Sequence, residues 1–248
     1  MKFAIVVAAA ALMSGIVSAA EIKVLSTQAT EQSYRELVPQ FEKATGHKVT
    51  TIFTGTLDAD KRVLAGEQHD LLIMSQSSID QHVKGGKVVA GSRVDLARSG
   101  VAVGVKAGAP KPDISTVDAL KRTILNAKSI GYSTGPSGNY IIALFERLGV
   151  ADQVKPKLKQ TATGVFVGSI IASGEVEIGF QQVSELSQYE GVDYVGPLPA
   201  EVQNYTTFSS GVLSNAKQGE AARALVRYIT SPQAGAVYRK RGMEPAGN

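Results

Sequence analysis

Residues 22–53 read IKVLSTQATEQSYRELVPQFEKATGHKVTTIF, and their hydrophobic period changes twice. Residues 22–26 are a short apolar run of strand character, and 27–30 are a polar loop. Apolar side chains then fall at Tyr34, Leu37, Val38 and Phe41. That i, i+3, i+4, i+7 spacing draws one stripe along a helix. Gly46 follows, the residue best able to close a helix in the left-handed conformation. Residues 48–53 (KVTTIF) return to a β-branched strand. Strand, helix and strand joined by short loops imply parallel strands with the helix packed across them.

The same rhythm extends outward. A helix is expected over 58–65, closed by Gly66, then a buried strand over 70–75 (DLLIMS) and a short helix over 77–84 before Gly85 and Gly86. A long glycine-containing strand at 99–106 (SGVAVGVK) runs into the loop GAPKP at 108–112. There the pattern restarts: a helix capped by Ser115 or Thr116 and reaching Asn126, a strand at 129–133, the turn TGPSG at 134–138, and helices at 139–148 and 164–173. Strands follow at 176–181 and 192–196, a second long strand at 205–213, and helices at 219–229 and 231–241. The reading is an α/β chain of two α/β lobes joined by a two-strand hinge. Lobe I is expected to comprise 21–100 and 208–248, and lobe II 101–207. Two crossings between lobes make a hinge with a cleft beside it.

Residues 1–20, MKFAIVVAAAALMSGIVSAA, read as a cleaved export signal: Lys2, an apolar run, and small residues at the end. The expected location is the periplasm. The full sequence has 248 residues, 44% hydrophobic and 19% charged, which suits a folded chain with lobes of roughly 100 residues. It has no cysteine, which removes disulfides, thiol catalysis and thiolate metal sites. Three dispersed histidines offer no metal-ligand spacing, so neither metal nor cofactor is expected. The formal net charge is +4, with basic residues scattered and no tryptophan. Nucleic acid is therefore not the expected partner. The cluster Arg239, Lys240 and Arg241 suits a helix end, where cations face the negative pole of the dipole.

In an open parallel sheet, ligands bind beyond the carboxyl ends of the strands. Those ends carry Thr27, Gln28 and Ala29; Thr54, Gly55 and Thr56; Ser75, Gln76 and Ser77; Ser133 with Thr134 to Gly138; and Gln181 with Gln182. Hydroxyls, amides and glycine-exposed N–H groups ahead of helices bind anions without a formal positive charge. Each loop alone is explained as well by helix capping. TGPSG lacks the Gly-Lys-Ser/Thr ending of a P-loop. The residues expected to contact a ligand are Thr27, Gln28, Ala29, Thr54, Gly55, Thr56, Ser133, Ser137, Gly138 and Gln181. Arg62 and Arg98 are candidates to anchor a carboxylate, against a solvated helix face and an interlobe ion pair. If the protein is an enzyme, Tyr132 and Ser137 are the best-placed side chains, with core packing the competing role for Tyr132. His47 and His69 precede strands, and His82 lies on a short helix.

The opening AEIKVLSTQATEQSYRELVPQFEKATGHKV, the segment DLLIMS and the closing EAARALVRYITSPQAGAVYRKRGMEP resemble the molybdate-type branch of class II periplasmic solute-binding proteins. The resemblance spans nearly the whole mature chain. It implies the type II periplasmic binding protein fold and an anion held in the cleft; a binding protein of this kind would have a membrane ABC permease as partner, and hinge closure is simplest in a monomer. In that branch the first loop ends in a ligand serine, where this chain has Ala29, and the second is a serine run, where it has TGT with Thr56. An organic carboxylate is thus favoured over a molybdate-like oxyanion, with Gln28 adding an amide. GSRVDLARSGVAVGVKAGAPKPDISTVDALK, EIGFQQVSEL and GVDYVGPLPAE are similar to a group that includes secreted aconitate isomerases. That likeness implies the alternative function, a 1,3-proton shift between cis- and trans-aconitate without a cofactor.

Overall fold

β1 (Glu21–Thr27) sends alternate side chains to opposite faces: Ile22 and Val24 join one core and Leu25 another. Residues 19–247 are described by the computed structural model, so most of the leader expected over 1–20 lies outside the described residues. The next strands are β2 (Lys48–Thr54), β3 (Leu71–Ser75), β4 (Val94–Lys106), β5 (Ile130–Tyr132) and β6 (Leu158–Gln160). They are followed by β7 (Ile178–Gln182), β8 (Val192–Pro197), β9 (Tyr205–Val212) and β10 (Glu244–Pro245). The helices are α1 (Glu31–Thr45), α2 (Thr56–Leu64), α3 (Gln76–Lys84), α4 (Val117–Asn126) and α5 (Pro136–Arg147). After them come α6 (Ala151–Val154), α7 (Val167–Ala172), α8 (Val183–Leu186), α9 (Gly219–Ile229) and α10 (Pro232–Lys240).

Both faces of the sheet are covered, as expected where strands read as continuous apolar runs. In β3, Leu71 and Ile73 pack with Leu37 and Phe41 of α1 and Leu225 and Ile229 of α9. Leu72 and Met74, one residue out of phase, pack with Ala59 and Val63 of α2 and Ile79 of α3. The second half repeats the plan: Val101, Val103 and Val105 meet Ile124, Leu144 and Phe145, while Ala102 meets Val167 and Ile171.

The strand order is β2-β1-β3-β9-β4-β7-β5-β6, with β8 and β10 also paired to β4. β1, β2 and β3 are mutually parallel, as are β5, β6 and β7. The middle corrects the expectation of a parallel sheet: β9 is antiparallel to β3 and β4, and β4 to β7 and β8. This reversal positions the site. β4 pairs with β9 from Val94 to Gly100, then with β7 from Val101 to Val105. The two groups of strands are therefore offset along β4 and run in opposite senses. Their carboxyl ends face each other.

Several bounds shift for local reasons. β4 begins at Val94, five residues before the glycine-marked segment. α5 begins at Pro136, because proline is preorganised for a first helical position. α7 is confined to Val167–Ala172, since Gly164 has φ of 80° and breaks the helix expected over 164–173. α6, α8, β6 and β10 are too short to leave a period in the sequence.

Asp70 is a structural group and stands outside the cleft. It is 1% exposed; Oδ2 accepts from Lys23 N at 2.8 Å, and Oδ1 accepts from Lys217 N and Gln218 N at 2.8 Å each. It thus ties β1 and β3 to the approach to α9. Asp70→Ala would take the acceptor from three backbone N–H groups on residues that are not fully buried, and each loss costs about 1 kcal/mol. The expected result is a melting temperature lower by roughly 6–12 °C in a thermal scan, at about 2–4 °C per kcal/mol. A shift under about 2 °C would contradict that role.

Candidate functional site

One cleft gathers the carboxyl ends of β1, β2, β5 and β7, with an inner volume of about 40 Å³ below an open mouth. Its wall includes Thr27, Gln28, Ala29, Thr54, Gly55, Thr56, Ser133, Ser137 and Gln181. Thr134, Gly135, Pro136, Gly164, Val165, Gln182, Glu185 and Phe208 complete it. No Lys, Arg or His is among these residues.

The donors come from chain ends aimed inward. Thr27 ends β1; it is 5% exposed and its Oγ1 has no hydrogen-bond partner. A buried hydroxyl without a partner is costly, and a bound acceptor would relieve that cost. Gly55 caps the N-terminus of α2, and Gly135 that of α5, so two helix dipoles present positive ends to the cleft. Ser133 Oγ lies 3.3 Å from Ser137 Oγ and accepts from Gly135 N at 3.3 Å. Gln28 Nε2 donates to Gly164 O at 2.9 Å, joining the first half of the fold to the loop before α7. A Cβ on Gly55 would lie 2.5 Å from Gly164 N and 2.7 Å from Thr163 Cγ2. Only glycine permits that approach.

Gln181 is 3% exposed and works in both directions: Oε1 accepts from Val167 N at 2.8 Å, and Nε2 donates to Glu185 Oε1 at 2.8 Å. Glu185 is the acidic member of the wall. It is half-buried, and part of its surface meets the cleft. Desolvation pushes its carboxyl up to about 8. Bonds from the Gln182 backbone and the Gln181 amide oppose the rise, and the nearby charge of Glu31 adds to it. Glu185 is the third residue of α8, where a glutamate reaches back to the capping residue's N–H. It therefore holds a fixed position and a perturbed acidity together, the combination typical of acid–base groups.

Other expected residues are elsewhere. Tyr132 and Gly138 are not among the wall residues. Tyr132 is in β5, paired with Phe180 and Gln160, and a Cβ on Gly138 would lie 1.8 Å from Ser133 O. Ser75 caps α3 by accepting from Ser78 N at 3.3 Å, so the third loop is spent on capping. Arg62 bonds Asp58 at 2.8 Å and Glu67 at 3.2 Å. Arg98 pairs with Glu244 at 2.6 Å and stacks 4.8 Å from the Tyr205 ring centre. Neither arginine is in the cleft wall. His47 accepts from Ala20 N, His69 meets Glu67 and His82 meets Asp60, all away from the cleft. Among the described residues, no group of three or more His, Asp or Glu is assembled that could hold a metal ion.

Glu185 is what residue-by-residue reading of the sequence missed. The available signal was its place in FQQVSEL, three residues past Gln182 at the carboxyl end of a strand.

Known proteins share this architecture. An aconitate isomerase from Pseudomonas sp is 36% identical over 230 residues, covering 90% of this chain and 87% of that protein. The molybdate-binding protein ModA of Azotobacter vinelandii is 26% identical over 244 residues, covering 96% of this chain and 95% of its own. The solved periplasmic molybdate-binding protein of Azotobacter vinelandii superposes with a TM-score of 0.77 at 18% identity, covering 91% of this chain and 100% of that one. A family model described as bacterial extracellular solute-binding protein matches residues 22–244. With its facing strand ends and donor-lined cleft, this chain belongs to the bacterial extracellular solute-binding protein family.

Proposed function

We propose that this protein isomerises a small unsaturated polycarboxylate by a 1,3-proton shift, with aconitate as substrate. The observation that carries the reading is the Glu185 carboxyl in the cleft wall, raised to about 8 among neutral donors. Thr27, Gln28, Thr56, Ser133 and Ser137, with the N-termini of α2 and α5, would hold the substrate carboxylates. Glu185, as carboxylate, takes a proton from the methylene carbon. The electron pair passes into the conjugated system, where the neighbouring carboxylates and the cleft donors spread its charge. The double bond moves by one carbon, and Glu185 returns a proton to the former vinylic carbon. One C–H bond breaks and one forms. The 36% identity to an aconitate isomerase supports this substrate over an oxyanion. A fully ionised oxyanion has no carbon-bound proton to yield, and would leave Glu185 without a partner for its chemistry.

The lobes 21–100 with 208–248, and 101–207, would close on the substrate as a monomer in the periplasm, after removal of residues 1–20. A second reading keeps the same cleft: capture of a small anion for a membrane ABC permease. It is favoured by a wall made of neutral donors and helix N-termini.

The deciding experiment incubates the purified mature chain with trans-aconitate and follows cis-aconitate by proton NMR. Conversion is expected. Thermal stabilisation by tricarboxylates with no conversion overturns the isomerase and leaves the carrier. Stabilisation by molybdate or sulfate alone overturns the carboxylate ligand as well.

A further inference from the structure

Glu185 also lines a second cavity of about 90 Å³, which shares Gln28 and Glu185 with the first. Its wall includes Gln28, Glu31, Ser184, Gln188 and Tyr189. Two polar atoms there stand out: Ser184 Oγ and Gln188 Nε2 are buried without a hydrogen-bond partner. Ser184 is 3% exposed. The Gln188 amide cannot flip to escape, because Oε1 accepts from the Arg241 guanidinium. Both atoms have almost no accessible surface as the side chains stand, so a turn of either side chain toward the cavity is what would let ordered water satisfy them. Glu31, on the same wall, is held by Arg35 Nε at 2.7 Å and is partly exposed. Glu31, Tyr189 and Glu185 are the titratable groups of this wall.

We propose that the second cavity is a water-filled path through which Glu185 exchanges its proton with solvent, with Ser184 and Gln188 as its inner stations and Glu31 at its mouth. The inference deepens the isomerase reading and rests on it. A base that reaches both allylic carbons of one substrate needs no solvent proton. A base open to a water chain trades the abstracted proton for a solvent proton before returning it. One proton leaves and one enters, so charge balances.

The test runs trans-aconitate in D₂O to low conversion and measures deuterium in the product by mass spectrometry. The unmodified protein is expected to label most product molecules. Ser184→Ala with Gln188→Leu is expected to lower the label by roughly threefold or more, as the trapped proton returns to substrate. Ser184→Thr, which keeps the hydroxyl, restores it; a merely structural role would not move the label. Equal labelling in the unmodified protein and the double variant overturns the path. If the unmodified protein does not convert trans-aconitate, the isomerase reading has failed by itself. The path is then read without turnover, by following the Glu185 carboxylic-acid infrared band, identified by its loss in Glu185→Gln, after a pH jump. Slowing by roughly tenfold in the double variant supports it, and equal rates overturn it.

Discussion

Glu185→Gln is expected to lower kcat for aconitate interconversion by roughly 10²–10⁴-fold, the usual worth of a positioned acid–base group, with KM within about threefold. The amide keeps the shape, and its oxygen still accepts from Gln181 Nε2. The titrating carboxyl is lost, and with it the second acceptor oxygen available to the Gln182 N–H. In the unmodified protein, kcat/KM should climb about tenfold per pH unit until the carboxyl titrates, near 8. The variant should lose that limb. An unchanged kcat would remove Glu185 from the chemistry.

The same substitution carries a stability signature of definite sign. The folded carboxyl keeps its proton up to about 8, whereas the ordinary value is 4.5. Between those values the folded state binds a proton that the unfolded state has released. Stability is fully present below that window and falls as pH rises through it. The full linkage is on the order of 3–5 kcal/mol, less to the extent that cavity water solvates the charge. Glu185→Gln has no such group, so it should melt progressively higher than the unmodified protein between about pH 5 and about pH 8. Parallel melting curves across that range would contradict the burial argument.

Gly138→Ala is expected to cost about 3 kcal/mol or more and to abolish ligand binding together with the lost fold of the loop. The added Cβ would meet Ser133 O at 1.8 Å, Ser133 C at 2.7 Å and Ser133 N at 3.1 Å. All three are backbone atoms, so no rotamer relieves the contact. The start of α5 must lift away from β5, dispersing the Ser133 and Ser137 hydroxyls that now lie 3.3 Å apart. Ser137→Ala, by contrast, removes one hydroxyl and leaves the backbone in place. Thermal melting of both variants checks the contrast. A Gly138→Ala protein melting within about 2 °C of the unmodified one would mean that the helix start yields cheaply.

Much of the architecture was legible before any coordinates. The stripe of Tyr34, Leu37, Val38 and Phe41 is the buried face of α1, and Gly46 closes that helix with φ of 76°. The apolar run LLIMS is buried along its whole length as β3. The loops after β1, β2, β5 and β7 were legible as donor-rich, and they share one cleft wall. The loop after β3 was equally donor-rich and turned inward to cap α3. Composition cannot separate these cases, because capping and ligand binding use the same hydroxyls.

Local periodicity and turn chemistry are properties of neighbouring residues, so the sequence by itself determined the order of the longer strands and helices, most of their closures and the donor-rich ends. Tertiary structure alone decided what lies across from what: the reversal at β9 that turns two sets of strand ends toward each other, and the Gln28–Gly164 contact spanning 136 positions. It also decided the acidity of Glu185. Desolvation is set by everything packed around a carboxyl, and no short stretch of sequence contains that information.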